Sequence, residues 1–219
     1  MHCQYGFRKE VDIMPSTIST AVSRESIEYV TLLAYTAEAS EWDNRTHLHH
    51  IKGYTYTIFC ALGLAKAEAE LLALACMLHD VGKSFTPDEL LKRVGQYTPA
   101  EWQVMEQHTL TGEKMLREAS SPVLRAGAVV ALTHHERWDG NGYPKQLAGE
   151  SIPLSGRVCA VADVFDALTT HRLYKEPIDV NEAFDLLRRS SNTLFDPQVV
   201  QAFLNSRDEI LKIFKSRGD

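Results

Sequence analysis

An all-α bundle with one long functional loop is the fold class this chain predicts. Three observations carry the expectation. Apolar residues recur at helical spacing along most of the 219 residues, and strand-like alternation is scarce. Recognisable start and stop residues bracket several of those stretches. Glycine and proline gather between Trp138 and Ser155, which reads as a loop.

Taken in order, a loose start gives way to a helix over Arg24–Ser40. A second helix runs from Asn44 to Leu62, with Gly63 as its stop. A third covers Lys66–Leu78, and its interior Leu71–Leu78 is apolar on every side, so it should be buried all round. Pro87–Leu91 reads as a short helix. Thr98 then caps a long one, with Pro99 in its first turn and Glu101 completing a capping box, as far as Ala119. Pro122 opens a helix that reaches the double histidine His134-His135. After the loop, helices are expected at Gly156–Thr170, Val180–Ser190 and Pro197–Lys215. Residues 1–40 read as an N-terminal extension and residues 41–219 as one catalytic domain.

Bulk properties narrow the function. Hydrophobic residues make up 44% and charged residues 24%, an ordinary globular balance. A net charge of -6 argues against a duplex nucleic-acid binder, which wants a cationic face. A small anionic ligand stays open, because a bound cation supplies the missing charge. Cys3, Cys60, Cys76 and Cys159 show no CxxC spacing and no disulfide framework. With no membrane-length apolar run and no secretory signal pattern, a cytoplasmic location without membrane attachment is expected.

Several residues point to metal chemistry. His79-Asp80 ends a helix that should be buried, and a bare buried carboxylate must be neutralised by a cation or an arginine. His134 and His135 stand where their helix meets the loop; a helix-end polar pair is the plain alternative to ligation. Asp163 interrupts the apolar run Val158–Phe165, so it is paired or binds a metal. Asp166 lies nearly on the same face, as a further ligand or as a group that orients a histidine. His108, between Gln107 and Thr109, looks solvent-facing. Among His47, His49 and His50 spacing does not choose. His47 lies nearer the apolar face, while His49 has small Gly53 one turn on, leaving room for an ion.

Three long motifs occur in one order: His79-Asp80-x-Gly82-Lys83, His134-His135-Glu136-x-x-Asp139-Gly140-x-Gly142-Tyr143-Pro144, and Ala162-Asp163-x-Phe165-Asp166-Ala167-x-Thr169-x-x-Arg172-x-Tyr174. Together they resemble the HD-GYP branch of the HD-domain metal-dependent phosphohydrolases. The resemblance implies an HD-domain helical bundle with a long GYP loop. It makes His49, His79, Asp80, His108, His134, His135 and Asp163 metal ligands, selecting His49 through an Asp43-x-x-Thr46-x-x-His49 pattern. Asp80 would bridge two divalent ions, with iron or manganese suiting the donor set. Some members hold a third ion through a Glu one turn before the first His. Arg45 stands there, so two ions are expected.

The reaction the resemblance implies is hydrolysis of cyclic di-GMP to linear pGpG, and after a second cut to GMP, by a hydroxide activated between the two ions. Asp80 and Lys83 would be catalytic. Tyr143, Arg172 and Lys175 would contact substrate. Glu136, Asp139 and Asp166 would brace the loop and the ligands. Two alternatives stand beside it: an HD-type phosphohydrolase for another nucleotide, and a low-turnover nucleotide sensor. A homodimer or a signalling partner is also in keeping with such a module.

Overall fold

A computed structural model describes residues 22–39, 44–93, 95–171 and 176–216. Ten α-helices lie among them and no strand does; the one β-bridge, Ser191 with Phe195, is isolated. No described helix is long and apolar enough to cross a membrane.

Helix α1 (Arg24–Ala37) is capped by the Ser23 side chain, which accepts from the Ser26 N–H. Its buried stripe Val30, Ala34 and Ala37 joins the same core as the later helices. The boundary expected at residue 41 therefore does not set α1 apart from the bundle. α2 (Asn44–Ala61) buries His47, Leu48, His50, Ile51, Tyr54, Thr55, Ile58 and Phe59. α3 (Lys66–Cys76) starts exposed at Lys66–Glu68, and from Leu71 onward only Leu72 is less than fully buried, close to what its composition predicts. α5 (Pro99–Leu116) begins with the expected capping box, Thr98 with Glu101. It lies against α6 (Pro122–Thr133), and α6 against α3; α2 packs on α3 and on α7 (Leu154–Thr169). Behind α7, Phe165 meets Phe184 of α8 (Val180–Arg189) and Phe203 of α9 (Pro197–Asn205), with ring centroids 5.0 and 4.9 Å away.

Two boundaries differ from expectation in ways that matter. α3 stops at Cys76, not Leu78. The N–H groups of Met77, Leu78 and His79 reach back only three residues, to the carbonyls of Leu74, Ala75 and Cys76. That tighter winding runs on into a 3₁₀ turn at Val81–Phe85, so His79 and Asp80 sit on a turn rather than a regular helix. The short helix α4 (Asp88–Leu91) follows. The other difference is the expected helix Pro197–Lys215, which is two: α9 and α10 (Arg207–Lys215). At Ser206 the N–H turns to both the Ala202 and Phe203 carbonyls, and the hydroxyl takes the Ala202 carbonyl as well. The break lets Ile210 enter the core and Ile213 reach α2.

Candidate metal centre

The turn carrying His79 and Asp80 is wedged against α5. A Cβ on Gly82 would meet the His108 carbonyl oxygen at 1.9 Å and the Gly112 nitrogen at 2.7 Å. Only glycine allows that approach, and it is what brings Asp80 to His108. The two lie 3.3 Å apart, from Asp80 Oδ1 to His108 Nε2. His134, at the end of α6, places Nε2 at 3.6 Å from the same oxygen. Asp80 Oδ2 faces the other way, 3.3 Å from His79 Nε2 and 2.6 Å from Lys83 Nζ. Asp163 Oδ1, on α7, lies 3.8 Å from His79 Nε2. Ligand atoms of Asp80, His108, His134 and His135 all fall within 4.8 Å of one another, and so do those of Glu38, His47 and His79.

Backbone chemistry fixes how these imidazoles face. His79 Nδ1 donates to the Cys76 carbonyl, His108 Nδ1 to Met105, and His134 Nδ1 to Val130 and Ala131. A carbonyl only accepts, so each Nδ1 carries a proton and Nε2 is the nitrogen each ring turns inward, free to ligate once it is unprotonated. His108 and His134 bring those atoms within 3.4 Å. Two lone pairs so placed have nothing to gain from each other and a cation to gain from both. Among the described residues, Asp80 Oδ1 and His79 Nε2 are buried without a hydrogen bond, as are both carboxylate oxygens of Glu38. Buried orphans of this kind are costly unless an ion satisfies them. The residues present therefore fit divalent ions.

The electrostatics agree. Burial pushes the His108 imidazole down to about 4, against the pull of Asp80. Burial, with His134 and His108 as neighbours, holds His135 well below its ordinary value. Burial opposes charge on His79, but Asp80 outweighs it and carries the ring up to about 10. Burial also works against the Asp80 carboxylate; Lys83 and His79 prevail and hold it well below the usual range.

His49 does not join this centre. It is exposed on α2, with Nε2 at 2.9 Å from the Ser216 hydroxyl. The space left by Gly53 is filled: a Cβ there would meet Ile213 at 2.8 Å. His47 occupies the inward position instead. Its Nδ1 donates to Asp166 at 2.7 Å, and its Nε2 lies 3.8 Å from Glu38. Burial would lower the His47 imidazole, yet Glu38 and Asp166 together bring it up to about 9. Asp166 also accepts from His50 Nδ1 at 2.6 Å, so it orients two histidines and faces neither oxygen to the cluster. With His47 as the inward histidine, the residue one turn earlier is Asp43, outside the described residues, and Arg45 no longer argues against a third ion. His108, which looks solvent-facing in sequence, is 2% exposed.

Glu38 and His47 were thus missed by sequence. For both the signal was position on a buried stripe: Val30, Ala34 and Glu38 on α1, and His47, Ile51, Tyr54 and Ile58 on α2.

The loop after α6 covers the centre. Glu136 accepts the Lys145 and Leu147 N–H groups at 2.6 and 3.0 Å. Asp139 takes Arg137 at 2.6 Å and the Asn141 N–H at 3.0 Å. Gly142 presses on Arg137, where a Cβ would stand 2.3 Å from the nitrogen. Tyr143 thereby stacks on His135, ring centroids 4.7 Å apart, with Trp102 edge-on to it at 6.1 Å. These rings line a cleft of about 700 Å³ together with His134, Glu106 and Asn141. Arg172 and Lys175 lie outside the described residues.

A helical bundle built around inward histidines and an Asp from a His-Asp turn defines an HD-type fold, and the comparisons place the chain accordingly. It belongs to the HD domain family, whose model matches residues 27–199. A cyclic di-GMP phosphodiesterase of Thermotoga maritima is 38% identical over 192 residues, covering 88% of this chain and 52% of that protein. A 3′3′-cGAMP-specific phosphodiesterase of Vibrio cholerae is 37% identical over 194 residues, covering 89% of this chain and 37% of that one. The chain thus spans about half or less of these relatives. Among solved structures, a cyclic GMP-AMP-specific phosphodiesterase of V. cholerae shares the fold, with a TM-score of 0.66 at 20% identity, over 87% of this chain and 51% of that one.

Proposed function

We propose that this chain is a metal-dependent phosphodiesterase that hydrolyses cyclic di-GMP to linear pGpG. The observation that carries the reading is the convergence of orphaned buried ligand atoms on Asp80, whose two oxygens face two different histidine sets. His108, His134 and His135 with Asp80 Oδ1 would hold one ion. His79, His47 and Asp163 with Asp80 Oδ2 would hold the other. Iron or manganese suits so many imidazoles beside carboxylates. Ions bound there supply Lewis acidity and a nucleophile active at neutral pH.

The chain's own groups do the rest. The cleft beside His134 and His135 admits a dinucleotide-sized ligand. Tyr143, held flat on His135, offers a face on which a base or ribose packs. Lys83, drawn to Asp80 Oδ2, sits where it meets a phosphate oxygen brought to the centre. Arg172 and Lys175 supply cationic contacts to the phosphates. The relatives named for cyclic di-GMP support this substrate; those named for 3′3′-cGAMP support the same reaction on a related ring.

The test is product analysis by chromatography after incubation with cyclic di-GMP and Mn²⁺, or with anaerobic Fe²⁺. Metal-dependent release of pGpG is expected, with 3′3′-cGAMP run in parallel. Tight nucleotide binding with no product in either metal would replace the enzyme by a sensor.

A further inference from the structure

Glu38 ends α1 with its side chain turned into the bundle, 1% exposed. Its backbone is pinned, because Asn44 Nδ2 at the start of α2 donates to the Glu38 and Tyr35 carbonyls, each at 3.3 Å. Among the described residues the carboxylate so placed has no hydrogen bond to either oxygen. His47 is its nearest ion-pair partner, at 3.8 Å, and that imidazole already gives its Nδ1 proton to Asp166 at 2.7 Å. A counter-ion evolved to balance His47 would sit as Asp166 does, within hydrogen-bond range. Glu38 instead stands back by the space of an ion. One oxygen of Glu38, one nitrogen of His47 and one of His79 lie within 4.8 Å of one another, and each comes from a different element.

We infer that Glu38 is a ligand of the divalent ion shared by His47 and His79, so that α1 completes the metal centre. This rests on the metal-dependent reading above and extends it to a residue outside the three long motifs. A carboxylate supplied there also lowers the net charge of that half of the centre, favouring a dication. The consequence is that a fragment beginning at α2 would lack a ligand as well as part of the core.

The experiment uses the full chain, metal-free and then titrated with Mn²⁺, comparing wild type, Glu38→Gln and Glu38→Ala. Bound Mn²⁺ is counted by elemental analysis and affinity is read by calorimetry, alongside melting temperature with and without Mn²⁺. Both variants should lose at least about tenfold in affinity at one site, the scale set by groups that tune a metal. Metal-free melting is compared as well, so that loss of the Glu38 charge beside His47 is told apart from loss of an ion. Wild-type Mn²⁺ affinity in both variants would overturn the inference, and so would a metal-free melting loss with both sites intact. In either of those cases pGpG release by wild type would leave the enzyme reading standing; wild type that takes up no Mn²⁺ would end both.

Discussion

His47 and His49 are two residues apart on one helix, and exchanging their roles is the sharpest test of the centre. In His47→Ala the lost ring removes an inward Nε2 and the bond from Nδ1 to the buried Asp166, 2.7 Å long. Hydrogen bonds to charged groups contribute about 1.5–3 kcal/mol, so the metal-free variant should lose stability of that order. The loss in metal affinity should be larger than for a group that merely orients a ligand. Such groups cost 10–100-fold, so about 100-fold or more is expected, about 2.8 kcal/mol at about 1.4 kcal/mol per decade. His49→Ala removes an exposed ring whose Nε2 meets the Ser216 hydroxyl. Its effect should stay within about 0.5 kcal/mol, with unchanged Mn²⁺ uptake and turnover. Anaerobic calorimetry with Mn²⁺, elemental analysis and thermal melts on both variants decide the matter. Should His49→Ala shed an ion while His47→Ala keeps its full complement, the geometric argument for the centre fails.

Three further outcomes are expected. The metal-free protein should melt at a lower temperature at pH 10 than at pH 7. His47 and His79 are raised to about 9 and about 10 from an ordinary 6.5, so their stabilisation is complete below about 6.5 and is lost as pH rises through those values. An unchanged melting temperature would remove those charged imidazoles from the account. For the same reason Mn²⁺ binding at pH 7 should release about two protons, read from calorimetry in buffers of differing ionisation enthalpy. Gly82→Ala should cost about 3 kcal/mol or more, because its Cβ would press to 1.9 Å of a helix carbonyl that cannot move alone; a near-normal denaturation midpoint would refute the close packing.

Some of the centre was legible because it is contiguous in sequence. His79-Asp80 and His134-His135 each place two donors at an element's end, and the glycines beside them mark close backbone approach. What sequence hid was direction. Gln107 and Thr109 make His108 look exposed, yet Thr109 is itself buried and α5 turns that face toward Gly82. Pattern matching chose His49, whereas the apolar stripe of α2 favours His47, and burial follows the stripe. Glu38 was invisible for a plainer reason: an acid at a helix end usually faces water, and only the packing of α1 on the Val81–Phe85 turn, α2 and α3 turns this one inward. The break at Ser206 left no stop residue of the Gly or Pro kind to read.

The same hydrogen bonds say how the centre is made ready. His79, His108 and His134 are each tied at Nδ1 to a carbonyl three or four residues earlier in their own segment. His47 is tied across the bundle to Asp166. Local ties are set as soon as each segment winds; the cross-bundle tie requires α2 and α7 to have docked. The half of the centre around His108 and His134 is therefore organised by secondary structure, and the half around His47 by tertiary packing. Replacing Asp166 by Asn should consequently weaken only the second half, by about 10–100-fold in metal affinity. It should leave one Mn²⁺ site intact, which elemental analysis at limiting metal would show. Equal loss from both sites would mean that the two halves form as one unit, and the division drawn from these ties would be wrong.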